Sequence, residues 1–214
     1  MSQRDVVHTL LDRAGTTYAA EAGIRLDDKP APLFQLLMLT QLLSARISAD
    51  LAISATAELV DSGYGTARKV ADAGWQDLVD ALGRGHYRRY DESAASQLGA
   101  TATIALDKYG GDLRRLAAEA DHDIERAGEL IQQFKGIGPT GGSIFLREVQ
   151  DVWPWVRPYF DDRAVRGAKR IDLPADPGEL AALAPAKHTA DFAAALVRVG
   201  SDDELAEEVR AGEH

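Results

Sequence analysis

The chain has 214 residues, 45% of them hydrophobic, with 24 Lys and Arg against 34 Asp and Glu for a formal charge of −10. That length suits one large domain or two small lobes, and it buries enough surface to fold without a disulfide or a structural metal. Its lack of Cys excludes disulfides, thiol nucleophiles, zinc–thiolate sites and cysteine-ligated iron–sulfur clusters.

No apolar run approaches the roughly 20 residues that span a bilayer, and Met1 to Arg13 lacks the apolar stretch of a signal peptide. A soluble, cytoplasmic protein is expected. An acidic balance usually argues against nucleic acid, but here the charge is uneven. Half of the net charge sits in the last stretch, where Asp202, Asp203, Glu204, Glu207, Glu208 and Glu213 face Arg210 alone. Arg84, Arg88 and Arg89 cluster, as do Arg163, Arg166, Lys169 and Arg170. Local fields, not the sum, decide which face binds what.

The hydrophobic period is helical nearly throughout. Val6, Val7, Leu10 and Leu11 predict a first amphipathic helix ending near Gly15. Pro30 and Pro32 punctuate the entry to a helix over Leu33–Ala45, apolar on most faces and therefore central and buried. Ser48 is placed to cap a helix towards Val60, closed by Gly63 to Gly65. A short helix over Trp75–Leu82 follows, then a basic loop over Arg84–Arg89. Asp91 is expected to cap a long helix with Leu98, Ala102, Ala105 and Tyr109 on one face, stopped by Gly110-Gly111. Asp123 opens a helix through Gln133, and Pro139 suits the first position of another that runs to Val149. Asp161 or Asp162 begins a further helix, Asp176-Pro177 the next, and His188-Thr189 precedes a last one over Ala190–Val199. About ten short helices result. The expected fold is all-α.

Between two of these helices lies Phe134-Lys135-Gly136-Ile137-Gly138-Pro139-Thr140-Gly141-Gly142. Two glycines flanking an aliphatic residue allow a tight turn and a close approach to another chain. The helix start behind them offers free N–H groups and a positive dipole end to a phosphate. An ordinary interhelical turn would read the same way. Further on, Phe160-Asp161-Asp162-Arg163-Ala164-Val165-Arg166 opens a helix.

The order of central apolar helix, long helix, Gly-Ile-Gly hairpin and Asp at a helix start resembles the helix-hairpin-helix DNA glycosylases, nearest their endonuclease III-like branch. That family's hairpin reads L-P-G-V-G-x-K-T-A and its catalytic segment V-D-T-H-x-x-R. Its P-F-E-L-L-x-x-x-L-L-S-A-Q segment is similar to Leu33 to Leu37 and Leu42-Leu43-Ser44-Ala45-Arg46 here. Its Y-x-x-K-A helix start is similar to Tyr90 to Ala94, and Leu196 to Gly200 resembles its last core helix. The likeness runs from about Leu33 to Gly200, and it implies one glycosylase-like, helix-hairpin-helix unit in two lobes with a cleft between them. One lobe is approximately 30–135, with the hairpin region in 90–150. The other is 1–29 with 150–200, and 201–214 forms an acidic tail.

The resemblance implies a base-excision repair enzyme acting on double-stranded DNA with a damaged or mismatched base flipped out of the stack. It implies Asp161 as the catalytic carboxylate that stabilises the oxocarbenium-like sugar and orients water, with Asp162 as the helix cap. Gly136, Ile137, Gly138, Thr140, Arg163 and Arg166 would hold the DNA backbone. Arg46 would fill the gap left by the base, and Gln41 and Tyr159 would line its pocket, with Trp153 and Trp155 nearby for stacking or packing.

Departures from the pattern matter as much. Where the family's Cys-rich cluster loop would follow Gly200, the acidic tail stands instead. The Schiff-base lysine maps to Thr140, whose hydroxyl cannot form an imine. A monofunctional glycosylase without lyase activity is therefore expected, with no cofactor and no metal, since His8, His86, His122, His188 and His214 form no ligand spacing. It should be a monomer, associated with the nucleoid when bound to DNA. The alternatives are a non-catalytic helix-hairpin-helix DNA-binding protein, and an unrelated all-α interaction domain that uses its acidic tail. Asp161 exposed beside room for a base would favour catalysis. Asp161 buried as a cap would favour binding alone.

Overall fold

The computed structural model describes residues 2–212; Met1, Glu213 and His214, the last two belonging to the acidic tail, lie outside the described residues. Among the described residues the chain is all-α, with fourteen helices and no strand. They are α1 (Gln3–Ala14), α2 (Tyr18–Glu21), α3 (Pro30–Leu43), α4 (Ala49–Asp61), α5 (Ala67–Ala71), α6 (Trp75–Arg84) and α7 (Asp91–Tyr109). Then follow α8 (Arg114–Glu119), α9 (Ile124–Ile131), α10 (Pro139–Val149), α11 (Asp162–Arg170), α12 (Pro177–Leu183), α13 (Thr189–Val199) and α14 (Asp203–Ala211). No helix among the described residues is long and apolar enough to cross a membrane.

The four helices beyond the expected ten are α2, α5, α8 and α14. The first three have four to six residues, too few to show a 3.6-residue period. The last corrects the reading of 201–214 as a tail. Asp202 caps it by accepting from the Leu205 amide at 3.0 Å, and Ala206 and Val209, three apart on one face, are fully buried.

The chain divides into two compact units, one of Met1–Thr17 with Leu146–His214 and the other Tyr18–Phe145. Residues 18–29 thus belong with the central helix rather than with α1, and the boundary near the hairpin falls inside α10.

In the contiguous unit, α3 is the axis. Leu33, Phe34, Leu36, Leu37, Met38 and Leu39 have no exposed surface, as a helix apolar on most faces must. Its first turn holds Pro30 and Pro32, so the prolines begin the helix instead of preceding it; Pro lacks only an N–H that the first turn leaves unpaired anyway. α4 packs on α3 and α6, while α7 packs on α5 and α6. Gly85 lets the end of α6 close on α4, since a Cβ there would stand 2.5 Å from the Ala55 Cα. Tyr90, not Asp91, occupies the cap position of α7; Asp91 is the first helical residue, its Oδ1 accepting from the Glu92 amide at 2.8 Å. Gly110, with φ 61°, ends the helix in the left-handed conformation.

In the other unit, α13 is central. Phe192, Leu196 and Val199 meet Val7 and Leu10 of α1, Ala164 and Ala168 of α11, and Ala206 and Val209 of α14 in one core. Phe160, just before α11, meets Phe192 edge to face at 5.7 Å between centroids.

Candidate nucleic-acid interface

The segment 132–138 joins α9 to α10. Asp123 caps α9 as expected, accepting from the Arg126 amide at 2.7 Å. Gly136 has φ 89°, a conformation that glycine adopts without strain. The Ile137 amide donates to the Phe134 carbonyl at 3.1 Å, and both side chains are buried. Their burial anchors the turn while Lys135, Gly136, Gly138 and Thr140 stay at the surface.

Two contacts fasten this turn to the end of α3. Gln41 Nε2 donates to the Lys135 carbonyl at 2.7 Å. A Cβ on Gly141 would stand 2.4 Å from Ser44 Oγ and 2.7 Å from Ile137 Cγ2, so glycine is needed there for a helix start held against α3. In that first turn Pro139 has no N–H and the Gly142 amide donates to the Gly138 carbonyl at 2.9 Å, so the Thr140 and Gly141 amides are the ones that precede the helix ladder and could face an anion.

Beside the turn is a cavity of about 290 Å³ lined by Gln41, Arg46, Tyr87, Tyr90, Gln97 and Gly136, among others. Gln41 is buried and Arg46 exposed, so the two residues expected at the base and at its gap do share one cavity. Tyr159, expected with Gln41, belongs to the other unit. Its backbone is instead clamped by buried Gln150, whose Oε1 accepts from the Tyr159 amide at 2.9 Å. Gln150 Nε2 donates to the Tyr159 carbonyl at 3.0 Å. Burial, with a smaller contribution from Tyr90, pushes the Tyr87 phenol up to about 12.

The carboxylate of Asp161 is held at both ends. Oδ1 accepts from the Ala164 amide at 2.9 Å, making Asp161 the N-cap of α11. Oδ2 accepts from Arg147 Nη1 at 2.7 Å. The Asp161 side chain is 7% exposed and that of Arg147 0%. The cap is therefore Asp161, and exposed Asp162, expected as the cap, is the first helical residue. The chain matches no protein-family model, and no curated protein matches it.

Arg163 and Arg166 project from α11 as exposed side chains, as does Lys169. Arg170 is engaged instead, with Asp203 and, at 3.0 Å, with the Gly200 carbonyl. The earlier basic cluster also splits. Arg84 pairs with Glu58 at 2.6 Å, whereas Arg88 and Arg89 are exposed. Trp153 is buried and stacks on Trp155 with centroids 5.5 Å apart, so this pair serves packing.

Sequence reasoning missed Arg147, Tyr87 and Gln97. Arg147 and Glu148 stand together after Ile144, Phe145 and Leu146, so the sequence marks two charges on a buried helix without saying that the partner of Arg147 is Asp161. Tyr87 and Gln97 carried no signal, because a cavity wall is assembled from residues with no common spacing.

Proposed function

We propose that this protein binds double-stranded DNA through the segment 134–142 and the exposed Arg163 and Arg166, as a helix-hairpin-helix protein that does not itself hydrolyse the N-glycosidic bond. One observation carries the choice between binding and catalysis: both oxygens of the Asp161 carboxylate are engaged, by a backbone amide and by a fully buried guanidinium. A group that must face a sugar carbon and orient water has to reach them, and this side chain, with two of its acceptor sites already taken, is 7% exposed. Releasing this one would break a buried ion pair, at a cost of about 3–5 kcal/mol. The turn supports the binding half, with buried anchors, surface-facing glycines and a helix start behind it.

A second reading, a monofunctional glycosylase acting on a damaged or mismatched base, is favoured by the cavity that Gln41 and Arg46 share beside the turn. It keeps the same partner, DNA, and adds hydrolysis assisted by Asp161.

The test uses labelled duplexes carrying uracil, a thymine mismatch, an oxidised pyrimidine, 8-oxoguanine or an alkylated purine. Binding is followed by anisotropy, and cleavage is assayed before and after hot alkali, with wild type and with Asp161→Asn. The expected result is duplex binding with no alkali-labile site from any lesion. Breaks that appear only after alkali and vanish in Asp161→Asn would replace this reading with the glycosylase. Failure to bind any duplex would end both.

A further inference from the structure

Trp75 is the one large hydrophobic side chain left exposed among the described residues, at 46%. Its place is held rather than loose. The indole Nε1 donates to Ser96 Oγ at 3.0 Å, and the Ser96 hydroxyl donates in turn to the Glu92 carbonyl at 2.9 Å. The edge of the ring at the start of α6 is thus tied to α7, while much of its surface stays in water. The ring is therefore presented in a fixed orientation, with its N–H already satisfied, which suits a flat partner.

The ring borders a groove of about 670 Å³ whose other walls include Arg88, Arg89 and Tyr90. Both arginines are exposed, and the Arg89 guanidinium lies 5.3 Å from the centroid of the Tyr90 ring, a cation–π contact that orients it without neutralising it. Asp91 and the exposed Glu92 also line the groove; the Asp91 carboxylate accepts from the Glu92 amide at its own helix start, and the two acids temper the field of the arginines. A flat aromatic face beside two exposed guanidiniums suits an unstacked base with its phosphodiester. A paired duplex offers no such base, since its rings are already stacked.

We infer that the groove of Trp75, Arg88 and Arg89 binds a single-stranded nucleotide, the base on Trp75 and the phosphate on the arginines. It shares Tyr90 and Ser93 with the cavity beside the turn, so on the DNA-binding reading it takes an unpaired stretch next to a gripped duplex. The site itself stands on the groove alone.

The experiment titrates a short labelled oligodeoxythymidine, a blunt duplex and the same duplex with an oligothymidine overhang against wild type, Trp75→Ala, Trp75→Phe and the double variant Arg88→Ala/Arg89→Ala. Wild type is expected to bind the oligothymidine, with quenching of tryptophan fluorescence, and to prefer the overhang to the blunt end. Trp75→Ala should lose roughly 5- to 150-fold in oligothymidine affinity and keep its blunt-duplex affinity. Trp75→Phe, which keeps a ring, should retain most of the affinity without the quenching. The arginine variant should flatten the salt dependence. An oligothymidine affinity that is absent in wild type, or unchanged in Trp75→Ala, overturns the inference. If Trp75→Ala does not fold, quenching in wild type that persists in Trp75→Phe overturns it equally. Blunt-duplex binding that fails while oligothymidine still binds removes the hairpin reading and leaves this site standing.

Discussion

Tyr87 and Asp161 show how single residues acquire properties that their types do not announce. Tyr87 is 3% exposed, and burial pushes its phenol up to about 12 from an ordinary value of 10.0. Between those values the folded chain keeps a proton that the unfolded chain has released. Its contribution to stability is therefore complete below about pH 10 and is lost as the pH rises towards 12. Urea unfolding between about pH 9 and 12 should show this decline, and Tyr87→Phe should make it shallower. Some slope should remain, because burial also raises the Tyr109 phenol. An unchanged slope in the variant would mean that Tyr87 ionises as freely folded as unfolded. Asp161 teaches a related lesson. Its position at a helix start was legible from Phe160-Asp161-Asp162-Arg163, but either aspartate satisfied that pattern. Arg147, on a different helix, decides which one is buried, and an ion pair fourteen residues long in sequence leaves no local trace.

At the scale of elements, contacts between helices depend on what is missing as much as on what is present. At Gly167 of α11 a Cβ would stand 1.8 Å from the Leu196 carbonyl oxygen of α13. That atom is backbone and cannot swing aside. Gly167→Ala should therefore force α11 and α13 apart and lower the unfolding free energy by about 1–3 kcal/mol or more, read from chemical denaturation. The same change at Gly83, where a Cβ meets nothing within 4 Å, should cost nothing of the kind. The long helices α3, α7 and α13 were legible because their apolar residues recur over several turns, and Asp123, Asp176 and Gly110 mark ends by local chemistry. Helix α14 was not. Its four acids, Asp203, Glu204, Glu207 and Glu208, concealed two buried small side chains, Ala206 and Val209, whose value lies in the surface they meet rather than in their own hydrophobicity.

At the scale of the whole molecule, a charge of −10 and an anionic partner are compatible only if cations are grouped and left unpaired. The structure sorts them. Arg84 and Arg170 are spent on Glu58 and Asp203, while Arg163, Arg166, Arg88 and Arg89 remain exposed. On the proposed reading, Arg163→Gln and Arg166→Gln should each weaken blunt-duplex binding irrespective of sequence. Each should also reduce the slope of log affinity against log salt by about one, measured by anisotropy over a salt series. Slopes identical to wild type would take these two side chains out of the interface.

The class of fold, the positions of the longer helices and the glycines between α9 and α10 can be read along the chain. These depend on periodicity and on backbone freedom, which are local properties of a chain. It takes the folded chain to seal Asp161 against Arg147, to bring Gln41 and Arg46 into one cavity with Tyr87, and to leave Trp75 exposed beside two arginines. Those facts depend on which distant residues come within a few ångströms of one another, and on which surfaces water is excluded from. No spacing along the chain encodes either.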